Sequence, residues 1–479
     1  MLGGYFEMYY RQRERKCIVF SPEASDNTLT KWRNLMKKYA ALTMIVLLAG
    51  SLTFAQATGE ANRAKEETVL HLWMGIPAEN GPQDVIDAFN REFKEKGIRI
   101  EYERYVNNDQ GNLKLETNLL SGSEIDVYAS YGGLTRVAKR AEAKMALDLT
   151  SYLKRDNMTP ESIFGETAIA LSRVNGLLYS LPTTLTKTSF LINKTMFDEA
   201  GIPVPDSWTY DEFRAIAKKL TKGEGLDKVY GMFWNSTQNF YEMQARLSSR
   251  TLGGDWMYDP NGKETQLNHP VLVQTLELIN NTMNVDGSAP SHVDTVTQKL
   301  TMENMFLSGR AAIVVDNFII RSVKDLQQYP HDFVTAFVPQ PVAYKGGDIY
   351  TWAQYGDQLS INPKSKNKDA AWEFLKWYAT NGVQYMAIGG RIGLANTLDK
   401  DSVVGRFFKG VDQIIDIESA KKHFIYNKGD NLTSTTIFTK APEIQKVMNE
   451  ECEAVMTGRK SAQQGLDDAK ARADEFLKK

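Results

Sequence analysis

From residue 69 onward, apolar positions recur in a pattern that alternates between strand and helix. "TVLHLWMG" has strand composition and stops at Gly75, and "PQDVIDAFNREFKEKG" puts Val85, Ile86, Phe89 and Phe93 on one helical face before Gly97. "IRIEYERYV" alternates like a strand, "LKLETNLLSG" reads as a helix, and "EIDVYASY" as a short buried strand. This succession predicts an α/β layer with parallel pairing.

Later segments continue the pattern. "SFLIN", "GMFW", "RAAIVVDN" and "DQLSINP" have strand composition. "TYDEFRAIAKKLTKG" reads as a helix capped by Thr209 or Ser207, "TMENMFLSG" as a helix, and "NKDAAWEFLKWYAT" as a helix whose Trp372 and Trp377 are core residues. The tail, 441–479, is helical and amphipathic with a break near Gly458.

The 479 residues exceed what one hydrophobic core usually covers, so two domains are the expected minimum. A net charge of -2 gives no basic footprint for nucleic acid. The two cysteines, Cys17 and Cys452, leave a single thiol if the N-terminal segment is removed.

Residues 36–57 have the layout of a secretory signal peptide: Met36, Lys37 and Lys38, an apolar run, then Ala55-Gln56-Ala57 as a small-x-small cleavage site. The run is short of the roughly 20 apolar residues of a spanning helix, so cleavage is expected over retention as an anchor. Residues 1–35 lie before this unit and are expected to be an extra or misassigned segment, with Met36 as the start. Leu48-Ala49-Gly50-Ser51 stands one residue from a lipoprotein box, but Ser51 has no thiol for a lipid thioether. The expectation is an exported protein, periplasmic or on the outer side of the cytoplasmic membrane, without a lipid at Ser51.

Four stretches together resemble one family. They are "DVYASYGG" at 126–133, "LYSLPTTLTKTSFLINKTMFDEAGIPVPDSWTYDEFRAIAKKL" at 178–220, "MFLSGRAAIVVDNF" at 305–318 and "INPKSKNKDAAWEFLKWY" at 361–378; the ending "TGRKSAQQGLDDAK" fits as well. They resemble, in the same order, the family 1 extracellular solute-binding proteins of ABC importers, the sugar-binding family that includes maltose-binding protein. Ile192 departs from the tyrosine the family often carries before Asn193. The resemblance implies an α/β periplasmic-binding-protein fold of two lobes, each a mostly parallel sheet flanked by helices, with solute in the cleft between them. The mapping gives residues 68–184 plus 357–400 to the first lobe and 185–356 plus 401–479 to the second. It also implies a monomer without cofactor that takes a mono- or oligosaccharide and delivers it to importer permease subunits in the membrane.

Ligands of open α/β sheets bind beyond the carboxyl ends of strands. That rule selects Trp73, Tyr128, Tyr131, Trp234, Asp316 and Asn317, with Trp352 and Tyr355 just before "DQLSINP". A sugar offers flat C–H patches and a rim of hydroxyls, which aromatic faces and planar donors and acceptors match. The resemblance adds Thr184, Thr186 and Lys187 at the entry to the second lobe, where maltose-binding protein has a glutamate matching Thr186. It further adds Tyr241, Glu242 and Trp256 near the cleft, and Arg391 in the first lobe. Core packing is the competing reading for the aromatics, and an ordinary structural role for Lys187 and Arg391.

His71, His269, His292, His331 and His423 are scattered, and no metal site is expected. No G-x-S-x-G elbow, G-x-x-x-x-G-K loop or cysteine pair occurs. With 59 acidic residues a glycosidase carboxylate pair stays open, so a secreted carbohydrate-active enzyme is the alternative, beside the same fold holding a peptide, polyamine or metal chelate.

Overall fold

The structure, a computed structural model, describes residues 67–478 apart from 132, 238–246, 248–251, 253–256, 260, 317–319, 350 and 428–439. The expectations for 1–35, 36–57 and Ser51 lie outside the described residues. Among those described, no helix is long and apolar enough to cross a membrane.

The strands are β1 (Thr68–Met74), β2 (Ile98–Arg104), β3 (Val127–Ser130), β4 (Arg173–Val174), β5 (Leu177–Leu178), β6 (Leu181–Lys187), β7 (Ser189–Asn193), β8 (Ile313–Asp316), β9 (Thr335–Val338), β10 (Ala353–Ile361) and β11 (Ile392–Gly393). A six-stranded sheet in the order β11-β6-β10-β3-β1-β2 centres the first lobe, and a three-stranded sheet, β8-β7-β9, the second. β4 and β5 make a separate hairpin whose turn places Asn175 and Gly176 at φ of 50° and 81°, the conformation an Asn-Gly turn favours.

The sheets are mixed rather than mostly parallel. β1 pairs in parallel with β2 and β3, whereas β10 with β3 and β6, β11 with β6, and β7 with β8 and β9 are antiparallel. The antiparallel pairs arise because β6 carries the chain out of the first sheet while β10 carries it back. β6 and β10 stay paired as far as Lys187 and Ala353, so residues 185–187 and 353–356 belong to the first sheet. Thr188 alone separates β6 from β7, and its N–H donates to the Trp352 carbonyl at 2.9 Å. The two crossing chains are thereby tied side by side.

Apart from the edge strand β2, whose Glu101, Glu103 and Arg104 are exposed, the long strands are largely buried on both faces. In the second lobe Phe190, Ile192, Ile313, Val315, Ala336 and Val338 enter one cluster, with the helix Tyr210–Leu220 and the tail helices Ala441–Met456 and Ala462–Leu477. Their neighbours Leu191, Val314 and Phe337 enter another with Phe407 and Phe424. In the first lobe Leu72, Met74, Val127 and Ala129 join Phe89, Trp372 and Trp377, while Trp73 and Tyr128 face the other way with Leu115 and Leu119.

Local signals explain several boundaries. Thr209 and Glu212 form a reciprocal capping box before Tyr210–Leu220. Gly458, at φ 73°, breaks the tail into its two helices. "GMFW" forms no regular strand, only a parallel bridge from Phe233 to Val314, and "TMENMFLSG" is a π-helical turn over Glu303–Leu307.

Gly231 lies so close to the helix Tyr210–Leu220 that a Cβ there would stand 1.9 Å from the Ala217 carbonyl oxygen. Gly231→Ala must push helix and sheet apart. A loss of about 1–3 kcal/mol is expected in urea unfolding, and an unchanged midpoint would contradict this packing.

Candidate functional site

The carboxyl edge of the first sheet gathers polar side chains around three loops. Beyond β3, the Tyr131 hydroxyl accepts the Gly75 N–H at 3.0 Å, joining the ends of β1 and β3. Burial, reinforced by the nearby Asp357 carboxylate, raises the Tyr131 phenol well above its ordinary value, so it keeps a proton to donate. The Tyr105 hydroxyl donates to the Ala129 carbonyl at 2.8 Å, and burial pushes it up to about 12.

Arg140, 1% exposed, organises the same edge. From the helix Gly133–Glu142 its guanidinium donates to Ser130 Oγ at 2.7 Å, Asn112 Oδ1 at 2.9 Å and Glu116 Oε1 at 3.1 Å. It thus fixes the end of β3 against the helix Asp109–Ser121, which Asn108 caps by accepting the Gly111 N–H. Next to this network a depression of about 370 Å³ is lined by Asp109, Asn112, Glu116, Thr135, Arg136 and Lys139.

At the crossing, Asp357 sits within β10 at φ 46°, a left-handed conformation that costs energy for a residue other than glycine. Its carboxylate accepts from Arg391 Nε at 2.6 Å, and both residues are buried. Thr183 Oγ1 donates to the Asp357 carbonyl at 2.7 Å, locking the bend. Gly356 pairs with Thr184, and a Cβ there would lie 3.2 Å from Thr186 Oγ1 and 3.3 Å from Thr184 Oγ1. A side chain here would crowd both hydroxyls, so glycine lets β10 and the two threonines pack closely. Thr184 Oγ1 is fully buried without a hydrogen-bond partner, an arrangement that a ligand or water would relieve.

Several expected contacts fall elsewhere. Trp73 is core, beside Tyr105 and Tyr128, with the Lys114 ammonium 5.2 Å above its ring; Tyr128, fully buried, donates to the Met145 carbonyl at 3.0 Å. Trp234 is 1% exposed and its indole N–H donates to Thr282 Oγ1 at 2.8 Å. All three occupy alternate positions of segments buried on both faces, where a strand-end rule does not separate rim from core.

Lys187 is also spoken for. It is 3% exposed and donates to the carbonyls of Phe424 at 2.6 Å, Asn427 at 3.2 Å and Ile425 at 3.4 Å, holding the end of a π-helical turn, Lys421–Ile425. Burial, with Lys400 nearby, pushes its ammonium down to about 8.

Tyr131, Thr186, Trp352 and Tyr355 are half-buried, and Thr184 and Arg391 lie buried beside them along β6, β10 and β11. Asp316 ends β8, paired with Ser189. Tyr241, Glu242, Trp256 and Asn317 lie outside the described residues. Arg140, Asn112 and Asp357 were missed by the sequence reading. Only Asp357 had a signal: Gly356-Asp357 interrupts an otherwise strand-like run.

A second cavity, of about 550 Å³, has walls from both lobes: Glu79, Asn80 and Ile388 from the first, Arg321, Asp325 and Lys409 among those from the second. Among the described residues no group of three or more His, Cys, Asp or Glu could hold a metal ion.

Asp357→Asn keeps a residue tolerant of the left-handed conformation but removes the carboxylate facing Arg391, and is expected to cost about 3 kcal/mol. Adding Arg391→Met should recover part of that loss in urea unfolding; an additive or larger loss would contradict a buried pair. For Lys187 the folded-state value lies below the unfolded one, so above pH 8 the unfolded chain holds more protons. Wild-type stability relative to Lys187→Met should therefore rise with pH from about 8 towards 10, by at most about 1.4 kcal/mol per unit. A flat difference would show that Lys187 titrates normally.

The chain is similar to proteins of known kind. The family profile described as bacterial extracellular solute-binding protein matches residues 79–385, more than half of the chain. A maltotriose-binding protein of Pyrococcus abyssi is 27% identical over 248 residues, 51% of this chain and 49% of that protein, so the match spans about half of its length. An arabinooligosaccharide-binding protein of Bacillus subtilis is 25% identical over 349 residues, 71% of this chain and 76% of that one. Among solved structures, a sugar transporter from Rhizobium etli in an open conformation superimposes with a TM-score of 0.68 at 21% identity, covering 85% of this chain and 99% of its own. A substrate-binding protein of Listeria monocytogenes in complex with cycloalternan gives 0.65 at 19%, covering 86% and 99%. With the two-lobed fold already in place, the match over residues 79–385 settles the assignment: the chain belongs to the bacterial extracellular solute-binding protein family.

Proposed function

We propose that the protein captures a carbohydrate outside the cytoplasm, between its two lobes, and hands it to an ABC importer without chemical change. The observation that carries this reading is the group of hydroxyls and aromatics where the chain crosses between lobes: Thr184 and Thr186 beside Gly356, with Tyr355 on β10, Trp352 just before it and Tyr131 just after β3. Neutral donors and acceptors beside aromatic faces suit a polyhydroxylated, uncharged solute. Arg391 meets Asp357 and Lys187 meets backbone carbonyls, so neither cation is spare to attract an acidic sugar. The names of the maltotriose and arabinooligosaccharide binders support the same class.

In this reading Arg391 is a positioning residue, while Tyr131, Thr184 and Thr186 touch solute, joined by Trp352, Tyr355, Asp316, Asn317, Tyr241 and Trp256 around the cleft. The protein works as a monomer. Cleavage after Ala57 releases it from its signal segment, and delivery requires a permease partner in the membrane.

A thermal-shift screen of neutral mono- and oligosaccharides is the direct test. A true ligand at a hundred times its dissociation constant adds about 2.7 kcal/mol of stability. Thr186→Val and Tyr131→Phe should each weaken binding about fivefold to thirtyfold, the worth of about 1–2 kcal/mol in a buried hydrogen bond. No stabilisation by any sugar, or turnover of a bound one, would contradict the proposal.

A further inference from the structure

The segment Gly382–Gly389 lies at the seam of the two lobes: Val383 and Met386 enter the first-lobe core, while Ala387, with Ile392 just beyond, packs into the second-lobe cluster that holds Phe407. Carbonyls at the end of such a helical turn have no partner within it and carry partial negative charge. Here the two terminal ones are taken by cations of the second lobe. From the helix Ile320–Lys324, which follows β8, Arg321 Nε donates to the Gly389 carbonyl at 2.7 Å and Lys324 Nζ to the Ile388 carbonyl at 2.8 Å.

Lys324 is anchored on its own side, donating also to the Phe407 carbonyl at 2.5 Å and lying 5.5 Å over the Phe407 ring. Burial pushes its ammonium down to about 8, which leaves it mostly charged at neutral pH and keeps these bonds charge-assisted. Gly390, at φ 80°, completes the fit: a Cβ there would stand 2.8 Å from Ile320 Cγ2. The interlobe cavity opens directly beside these contacts, with Arg321, Lys324 and Ile388 all in its wall.

We infer that Arg321 and Lys324 form a latch that holds the lobes together by binding the carbonyls of Ile388 and Gly389, and so sets the balance between open and closed forms. Apolar contact of Ala387 and Ile392 with the second-lobe cluster belongs to the same seam, and the two charge-assisted bonds are its polar part. The latch adds to closure without touching solute. The inference rests on the proposed reading only in assuming that the lobes move; its test needs no sugar.

Spin labels on exposed first- and second-lobe positions of the full chain would report the interlobe distance in ligand-free protein. Lys324→Met, which keeps the stem but removes the charge, should shift the distribution to longer distances and raise amide exchange at Gly390 and Arg391 about tenfold. Arg321→Gln should act in the same direction, and Lys324→Arg should stay near wild type. Should Lys324→Met fail to fold, the half-buried Arg321→Gln carries the test alone. Distances and exchange unchanged in variants that melt like wild type would overturn the latch. A sugar-free protein that opens in these variants would support it whatever the solute proves to be.

Discussion

The bend at Asp357 is the constraint on which the cleft edge depends. A residue other than glycine held left-handed inside a strand is costly, and a buried carboxylate costlier still; neither persists unless the surroundings demand both. Arg391 meets the charge and Thr183 grips the carbonyl, so β10, β6 and the start of β11 are fastened at one point. Gly356 next to the bend lets Thr184 and Thr186 approach β10 closely.

That point also connects the lobes. Arg391 follows directly on Gly389 and Gly390, which face Arg321 and Ile320 of the second lobe. One short segment is therefore held from within its own lobe by Asp357 and from across the cleft by two cations. The Thr188 to Trp352 hydrogen bond keeps the crossing strands side by side. Packed cores on both faces of the central strands make each lobe stiff.

Much of this was legible in the sequence, and the limits have physical causes. Period-two and helical patterns located β1, β2, β3, β7 and the helix Lys368–Thr380, and of the two caps expected for the helix Tyr210–Leu220, Thr209 or Ser207, Thr209 is the one that forms. The ordered stretches from residue 126 to 378 pointed to the family before any coordinates. Trp73, Tyr128 and Trp234 misled because alternation cannot distinguish a rim from the second buried face of a covered sheet. Lys187 and Lys324 look alike as exposed lysines in sequence, yet both end on backbone carbonyls, groups that every residue carries and no composition reveals. Arg140 gave no sign at all among the many arginines, since its partners lie on two other elements, Ser130 at the end of β3 and Asn112 and Glu116 on the helix Asp109–Ser121.

If the two lobes close on a polyhydroxylated solute, as proposed, the protein should change shape when it binds. Small-angle X-ray scattering of the purified chain, with and without a stabilising sugar at saturation, measures this directly. The account predicts a smaller radius of gyration and a shorter maximum dimension in the presence of sugar. Identical scattering curves with the site filled would contradict it.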